Sequence, residues 1–115
     1  MQQVYVLGGS QSDFARNITR EGSSAFELFS EVTFAALDNA QVDPEDIDVG
    51  HVGNFVAELF VKQGQLGGFF GHLSPAFSDL PTSRHEAACA SGSVAILAAM
   101  RELMLGHYQC ALVTG

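Results

Sequence analysis

Short apolar runs bounded by glycine or polar residues predict the strands of this protein. Residues 4–7, 49–56 and 110–114 each form such a run, and residues 82–88 form an extended segment without a helix breaker. The glycines at positions 50 and 53 indicate that another part of the chain approaches the second strand closely. Four short strands are therefore expected.

Two segments with helical spacing lie between these strands. Residues 24–27 have the Ser-x-x-Glu spacing of a capping box, and apolar residues then recur every three to four positions to about residue 39. The second segment is apolar at seven consecutive positions, 94–100, and continues to a natural helix end at Gly106. A helix that is apolar on most of its faces is expected in the interior. The alternation predicts an α/β fold with helices packed on a largely parallel sheet.

Residues 58–80 do not follow either pattern. Four glycines are interspersed with four phenylalanines there, without regular spacing. Such a composition is typical of an irregular segment, and we expect this segment to be buried against another chain.

Composition narrows the possible partners. The 115 residues have room for one domain, and 47% hydrophobic residues with a mean hydropathy of +0.18 are enough for a core. A net charge of −8 argues against nucleic acid and against an anionic membrane as partners. The sequence has neither a transmembrane run nor the pattern of a signal peptide, so we expect a cytoplasmic location.

Cys89 lies at the junction of the predicted strand 82–88 and the buried helix. The first turn of a helix leaves backbone N–H groups unpaired and carries a partial positive charge, which favours a thiolate. The same N–H groups can hold a developing oxyanion, so a cysteine here is placed to attack a carbonyl group. The small residues Ser91 and Gly92 leave room for a flat acyl group to reach the sulfur. The alternative is a structural cysteine in a tight turn.

Residues 86–95, Glu-Ala-Ala-Cys-Ala-Ser-Gly-Ser-Val-Ala, resemble the nucleophile motif of the thiolase superfamily, in particular the sterol-carrier-protein type. Residues 4–8, 52–54 and 111–115 extend the resemblance to nearly the whole chain. It implies the first half of a layered αβαβα core with a mainly parallel sheet. It also implies that residues 1–115 are an incomplete, thiolase-like N-terminal domain, and we expect the chain to be a fragment or one subunit of a split enzyme.

The resemblance also implies a reaction and a site. Cys89 would take the acyl group from a coenzyme A thioester and pass it on, with the thioester as substrate and with no cofactor or metal. Ser91 and Gly92 are candidate substrate-binding residues beside it. Asn54 is a third candidate, because the Gly53-Asn54 pair resembles a thiolase element near the nucleophile, although an amide bonded to local backbone is the more common role.

The positions of the four histidines in the sequence do not place any of them at this site. His85 is four residues before Cys89, which places its Cα roughly 13 Å away along a strand, too far for direct proton transfer. The other three have no metal-ligand spacing and are interpreted as isolated residues. In thiolases, two histidines and a second cysteine from later segments complete the site.

Two alternatives remain open. A condensing enzyme of the β-ketoacyl synthase type carries a similar turn and uses acyl carrier protein instead of coenzyme A. A non-catalytic lipid-carrier or assembly subunit would use the fold alone. In every case we expect a homodimer or larger assembly, or a complex with a chain that carries the missing half, because an unpaired sheet edge and an uncovered helix face rarely stay exposed.

Overall fold

The computed structural model describes residues 1–115, which form two compact units. One unit is Val6–Asp43, and the other is Met1–Tyr5 together with Pro44–Gly115. The larger unit contains a parallel sheet of three strands with helices packed on it, so the predicted α/β fold is confirmed. The helices of both units are all too short or too polar to span a bilayer.

The unit Val6–Asp43 is built on helix α1, Ala25–Ala40. The Ser24 hydroxyl accepts a hydrogen bond from the Glu27 N–H at 3.1 Å, as the capping-box spacing predicts. One side of the helix is buried at intervals of four residues: Phe29, Thr33 and Leu37. The predicted helix, with its apolar stripe, is therefore confirmed to within one residue at its end.

Arg16 fastens the loop that precedes α1 to the helix. Its guanidinium group donates hydrogen bonds to Glu21 at 2.8 Å and to Glu31 of α1 at 2.5 Å. These two carboxylates raise the pKa of Arg16, and the guanidinium group lowers the pKa of Glu21. All three groups are in contact with water, so the pairs orient the loop more than they stabilise it.

Residues 4–7 do not form the first strand that the sequence predicts. They have no regular secondary structure, and the side chains of Tyr5, Val6 and Leu7 are exposed. A strand requires a neighbouring edge for its backbone N–H and C=O groups. The central strand of the sheet already has neighbours on both sides, and neither outer strand pairs with these residues. The prediction of a buried strand here is therefore wrong.

The sheet has the order β2-β1-β3, with β1 at Val49–Gly53, β2 at Thr82–His85 and β3 at Ala111–Thr114. Both pairings are parallel, and His51 of β1 lies between Ser83 and Val113 in register. Every residue of β1 is buried, as expected for the central strand of a parallel sheet. The strand ends three residues earlier than predicted, because the chain turns at Asn54 and Val56 has a left-handed φ of 62°.

Helix α4, Ser91–Met104, packs on all three strands. Its fully buried apolar residues, Ala95 and Ala99, are small, which lets the helix axis approach the sheet closely. The helix ends as predicted, with Gly106 at a φ of 76°. Its interior position is only partly confirmed, because a second apolar face remains exposed in this chain: Ile96, Leu97 and Met100.

Residues 58–80 are more regular than expected. Helix α2 spans Ala57–Phe60 and helix α3 spans Phe69–Leu73, with 3₁₀ turns on either side of α3. Phe70 and Phe77 are 0% and 1% exposed, and the Phe70 ring lies about 3.0 Å from where a Cβ would stand on Gly50. The expectation that this segment needs another chain for its burial is therefore wrong for these two rings, which are buried within this chain.

The end of β1 allows no side chain. A Cβ on Gly53 would lie 2.4 Å from the Ser91 carbonyl oxygen and 2.7 Å from the Gly92 nitrogen, both backbone atoms. We expect Gly53→Ala to lower the free energy of unfolding by about 1–3 kcal/mol, because α4 must move away from the strand. Urea unfolding measures this loss.

Gly68→Ala is the matched control. Gly68 has a helical φ of −67°, and no atom lies within 4 Å of the position of its Cβ. The urea concentration at the unfolding midpoint of Gly68→Ala should equal or slightly exceed that of the unmodified protein. Equal midpoints for the two variants would show that the close approach at Gly53 is not a constraint.

Candidate active site

A tight turn, residues 86–90, joins β2 to α4 and carries Cys89. Ala88 has a φ of 50°, a left-handed conformation that is uncommon for a residue with a Cβ. The Glu86 carboxylate holds this conformation, because it accepts a hydrogen bond from the Ala88 N–H at 2.5 Å. The Ala90 N–H donates to the Ala87 carbonyl at 2.9 Å and closes the turn. Strained backbone held in this way is common at functional sites.

Ser91 braces the same turn from within. Its hydroxyl donates a hydrogen bond to the Ala88 carbonyl at 2.6 Å and accepts one from the Ala87 N–H at 2.9 Å. The residue is only 4% exposed. In the fold the Ser91 side chain thus stabilises the turn. Its role in substrate binding stays a prediction.

Cys89 is exposed, one residue ahead of the N-cap of α4, Ala90. The N–H groups of Gly92 and Ser93 have no backbone acceptor in the chain, as expected for the first turn of a helix. No atom lies within 4 Å of the position of a Cβ on Gly92, so the space beside that residue is open. An accessible sulfur ahead of unpaired backbone donors has the parts that attack on a carbonyl group requires.

Asn54 follows β1 directly, at the same sheet edge as the turn. Its side-chain oxygen accepts a hydrogen bond from the Ala57 N–H at 3.0 Å, and its own N–H donates to the His85 carbonyl at 3.1 Å. The amide oxygen therefore caps the start of α2. That is the local structural role that the sequence left open, and contact of Asn54 with a substrate stays a prediction.

Arg84 connects this edge to the segment after α2. Its guanidinium group lies 2.7 Å from the Glu58 carboxylate and donates to the Gly64 carbonyl at 2.6 Å. The hydrogen bond from Arg84 lowers the pKa of Glu58. No sequence pattern predicts this pair, because Glu58 and Arg84 are far apart in the chain and only the fold brings them together.

Two histidines that the sequence presented as isolated are in contact. His51 Nδ1 lies 2.8 Å from His85 Nε2, and His51 Nε2 lies 2.7 Å from the Glu102 carboxylate. The signal that could have found them is their shared position on one face of adjacent parallel strands. No group of three or more His, Cys, Asp and Glu side chains is arranged to hold a metal ion.

Comparison with known proteins identifies the family. The family model described as "Thiolase, N-terminal domain" matches residues 4–115. The chain belongs to the thiolase family. An acetyl-CoA acetyltransferase of Methanothermobacter thermautotrophicus is 30% identical over the whole chain, and one of Methanocaldococcus jannaschii is 34% identical over the whole chain. The chain spans 29% and 28% of the length of these two relatives.

The resemblance drawn from residues 86–95 is thus confirmed for the family. In this thiolase-family chain, the parallel sheet delivers the motif to the surface at the carboxyl ends of its strands, where ligands commonly bind in α/β folds. The relatives bear the name of an acyltransferase.

The second cysteine of the thiolase-family chain has a different environment. Cys110 is partly buried just before β3, and its backbone N–H donates to the Asp48 carboxylate at 3.0 Å. Burial, followed by the charges of Asp48 and Asp46, raises the pKa of the Cys110 thiol. Less of this thiol is therefore present as the reactive thiolate at neutral pH.

We expect iodoacetamide to label Cys89 faster than Cys110 by about tenfold or more at pH 7.5. Cys89 is exposed, whereas Cys110 is partly buried and its thiol has a raised pKa. Peptide mass spectrometry over a time course gives both rates in one sample. In urea the two rates should converge. Equal rates in the folded protein would contradict the assignment of Cys89 as the reactive thiol.

Proposed function

We infer that this chain carries the nucleophile of a thiolase-type acyl transferase and that Cys89 is that nucleophile. The observation that supports this most is the strained turn between β2 and α4, which presents an exposed thiol ahead of unpaired N–H groups. The names of the curated relatives favour coenzyme A thioesters as substrates over thioesters of acyl carrier protein. No resident cofactor or metal enters the reaction.

The Cys89 thiol gives up its proton, which coenzyme A takes up when it leaves, and the sulfur attacks the carbonyl carbon of the acyl-coenzyme A thioester. As the carbon–sulfur bond forms, negative charge develops on the carbonyl oxygen, and the N–H groups of Gly92 and Ser93 are the donors of this chain that suit it. The bond to coenzyme A then breaks, coenzyme A leaves as a thiolate and takes up a proton, and the acyl group remains on Cys89. In the second step a coenzyme A thiol that has lost its proton, or the carbanion that acetyl-coenzyme A forms by losing one, attacks the acyl group, with formation of a carbon–carbon bond in the second case. The bond between the acyl group and Cys89 breaks, and the released Cys89 thiolate takes up a proton.

This chain contributes little to the proton transfers of the reaction. The His85 Nε2 atom is hydrogen-bonded to Ser83 and lies against His51, so this imidazole is engaged within the fold. In the family, later segments provide the acid–base groups. Such groups contribute about 10² to 10⁴ in rate. The isolated chain is therefore expected to become acylated but not to turn over.

Incubation with acetyl-coenzyme A should add one acetyl group to the chain over hours, at Cys89. Cys89→Ala should abolish the addition and Cys110→Ala, the matched control, should leave it unchanged, because only the first variant removes the attacking sulfur. Intact-mass and peptide mass spectrometry measure both. Acetylation of the Cys89→Ala variant would overturn the assignment, and steady release of coenzyme A would overturn the proposed lack of acid–base groups.

A second part of the proposal concerns assembly. The outer edge of β2 is unpaired. Helix α2, which Glu58 connects to Arg84 of β2, exposes two apolar side chains, Leu59 at 74% and Phe60 at 82%. The uncovered face of α4 adds further apolar surface. We therefore propose a homodimer or larger assembly, with residues 60–88 in the contact, or a complex with a polypeptide that covers these surfaces.

Sedimentation equilibrium at tens of micromolar should give the mass of a dimer or larger. Phe60→Lys should weaken the association by about tenfold or more, because a buried phenylalanine contributes roughly 1.5–3 kcal/mol. Phe14→Lys is the control, since Phe14 is 96% exposed and belongs to the other unit. A well-folded monomer that binds no 8-anilinonaphthalene sulfonate would contradict the proposal.

A further inference from the structure

A polar cluster lies between the sheet and α4. It consists of His51 on β1, Ser83 and His85 on β2, and Glu102 on α4. Glu102 bonds to His51 at 2.7 Å, the two imidazole rings meet at 2.8 Å, and the Ser83 hydroxyl lies 3.2 Å from His51 and 3.0 Å from His85. We call these four residues the histidine cluster. It connects three elements of the fold through side chains alone.

The two nitrogen atoms that meet in the cluster can share only one proton. His51 Nε2 donates to the Glu102 carboxylate, which leaves His51 Nδ1 facing His85 Nε2. One of these two atoms donates and the other accepts, since two N–H groups cannot point at each other at 2.8 Å. The closed pair therefore accommodates one extra proton, which His85 can take up at Nδ1, but a second extra proton would charge both imidazoles and break the ring contact.

The surroundings of the cluster oppose that second proton. The His51 side chain is 3% exposed, whereas the Glu102 side chain is 35% exposed and reaches water. Burial, followed by the charge of His51, lowers the pKa of His85, while Glu102 on α4 acts in the opposite direction. The register partners of His51 on the adjacent strands are both uncharged, Ser83 on β2 and Val113 on β3.

The sign of the pH dependence follows from these contacts. The folded protein favours neutral His85, whereas the unfolded chain takes up the proton at an ordinary pKa of about 6.5. The stabilisation by the cluster is thus complete above about pH 6.5 and decreases as the pH falls below that value.

His85 is the last residue of β2, and Glu102 is on the helix that begins just after Cys89. The cluster thus ties together the two elements that the Cys89 turn joins. We propose that His51, His85 and Glu102 are positioning residues for Cys89, which hold β2 against α4 while at most one of the two imidazoles is charged and release them when both are protonated. This inference rests on the proposed function only in taking Cys89 as the nucleophile.

Amide hydrogen exchange at the Cys89 turn tests directly whether the histidine cluster holds β2 against α4. The N–H groups of Ala87, Ala90 and Ser91 are all hydrogen-bonded within the turn, so their protection reports its opening. From about pH 7.5 to about pH 5.5 we expect their protection factors, corrected for the intrinsic pH dependence of exchange, to fall about tenfold, the effect of one added proton over one pH unit. The amides of α1, in the other unit, should change less.

Two variants distinguish the effect of the histidine cluster on the turn from a change in overall stability. His85→Gln keeps a polar group at this position but cannot titrate, so the protection of the turn should become independent of pH. His107→Gln, an exposed histidine outside the cluster, should behave like the unmodified protein. Constant protection in the unmodified protein, or an equal fall in His85→Gln, would overturn the proposal.

Glu102→Gln provides a second test if His85→Gln does not fold. It removes the charge that favours a protonated His85 while keeping an acceptor for His51, so the fall in protection should still begin at about pH 6.5 but should become larger and extend to lower pH. A fall of unchanged size and range would overturn the proposal. None of these measurements depends on turnover, and acetylation of Cys89 decides the proposed function separately.

Discussion

The close contact between the end of β1 and the start of α4 is the constraint on which the candidate site depends. Gly53 lets the backbone of Ser91 and Gly92 lie where a side chain would otherwise stand. That proximity fixes where α4 begins, and the strained turn at Ala88 must then span the short distance back to β2. The exposed position of Cys89 is a consequence of backbone packing.

Much of this arrangement is encoded locally, which is why the sequence predicted it. The capping serine of α1 and the glycine after α4 each act through their own backbone or their immediate neighbours. Residues 4–7 show the limit of that reasoning. Their apolar run has the composition of a strand, but a strand exists only where a partner edge accepts it, and that depends on the whole sheet.

The candidate site likewise contains features that the sequence predicts and features that it does not. The place of Cys89 followed from the change from extended to helical pattern at one point in the chain. The contact between His51 and His85 did not, because it depends on the register of two parallel strands that are 34 residues apart in sequence. Ser91 and Asn54 are candidates for contact with a substrate from the sequence, which also allows a bond to local backbone for Asn54. In the fold the side chains of both residues close turns.

Charge restricts how a coenzyme A thioester would meet this surface. The net charge of −8 repels a polyanion, and of the five Lys and Arg residues, Arg16 and Arg84 are already paired with carboxylates. The unpaired N–H groups at the start of α4 are the positive end of a dipole, but their field falls off within about one turn. In the proposed reaction this surface therefore suits the thioester carbonyl, which needs one or two nearby donors, far better than the phosphate groups at the other end of the substrate.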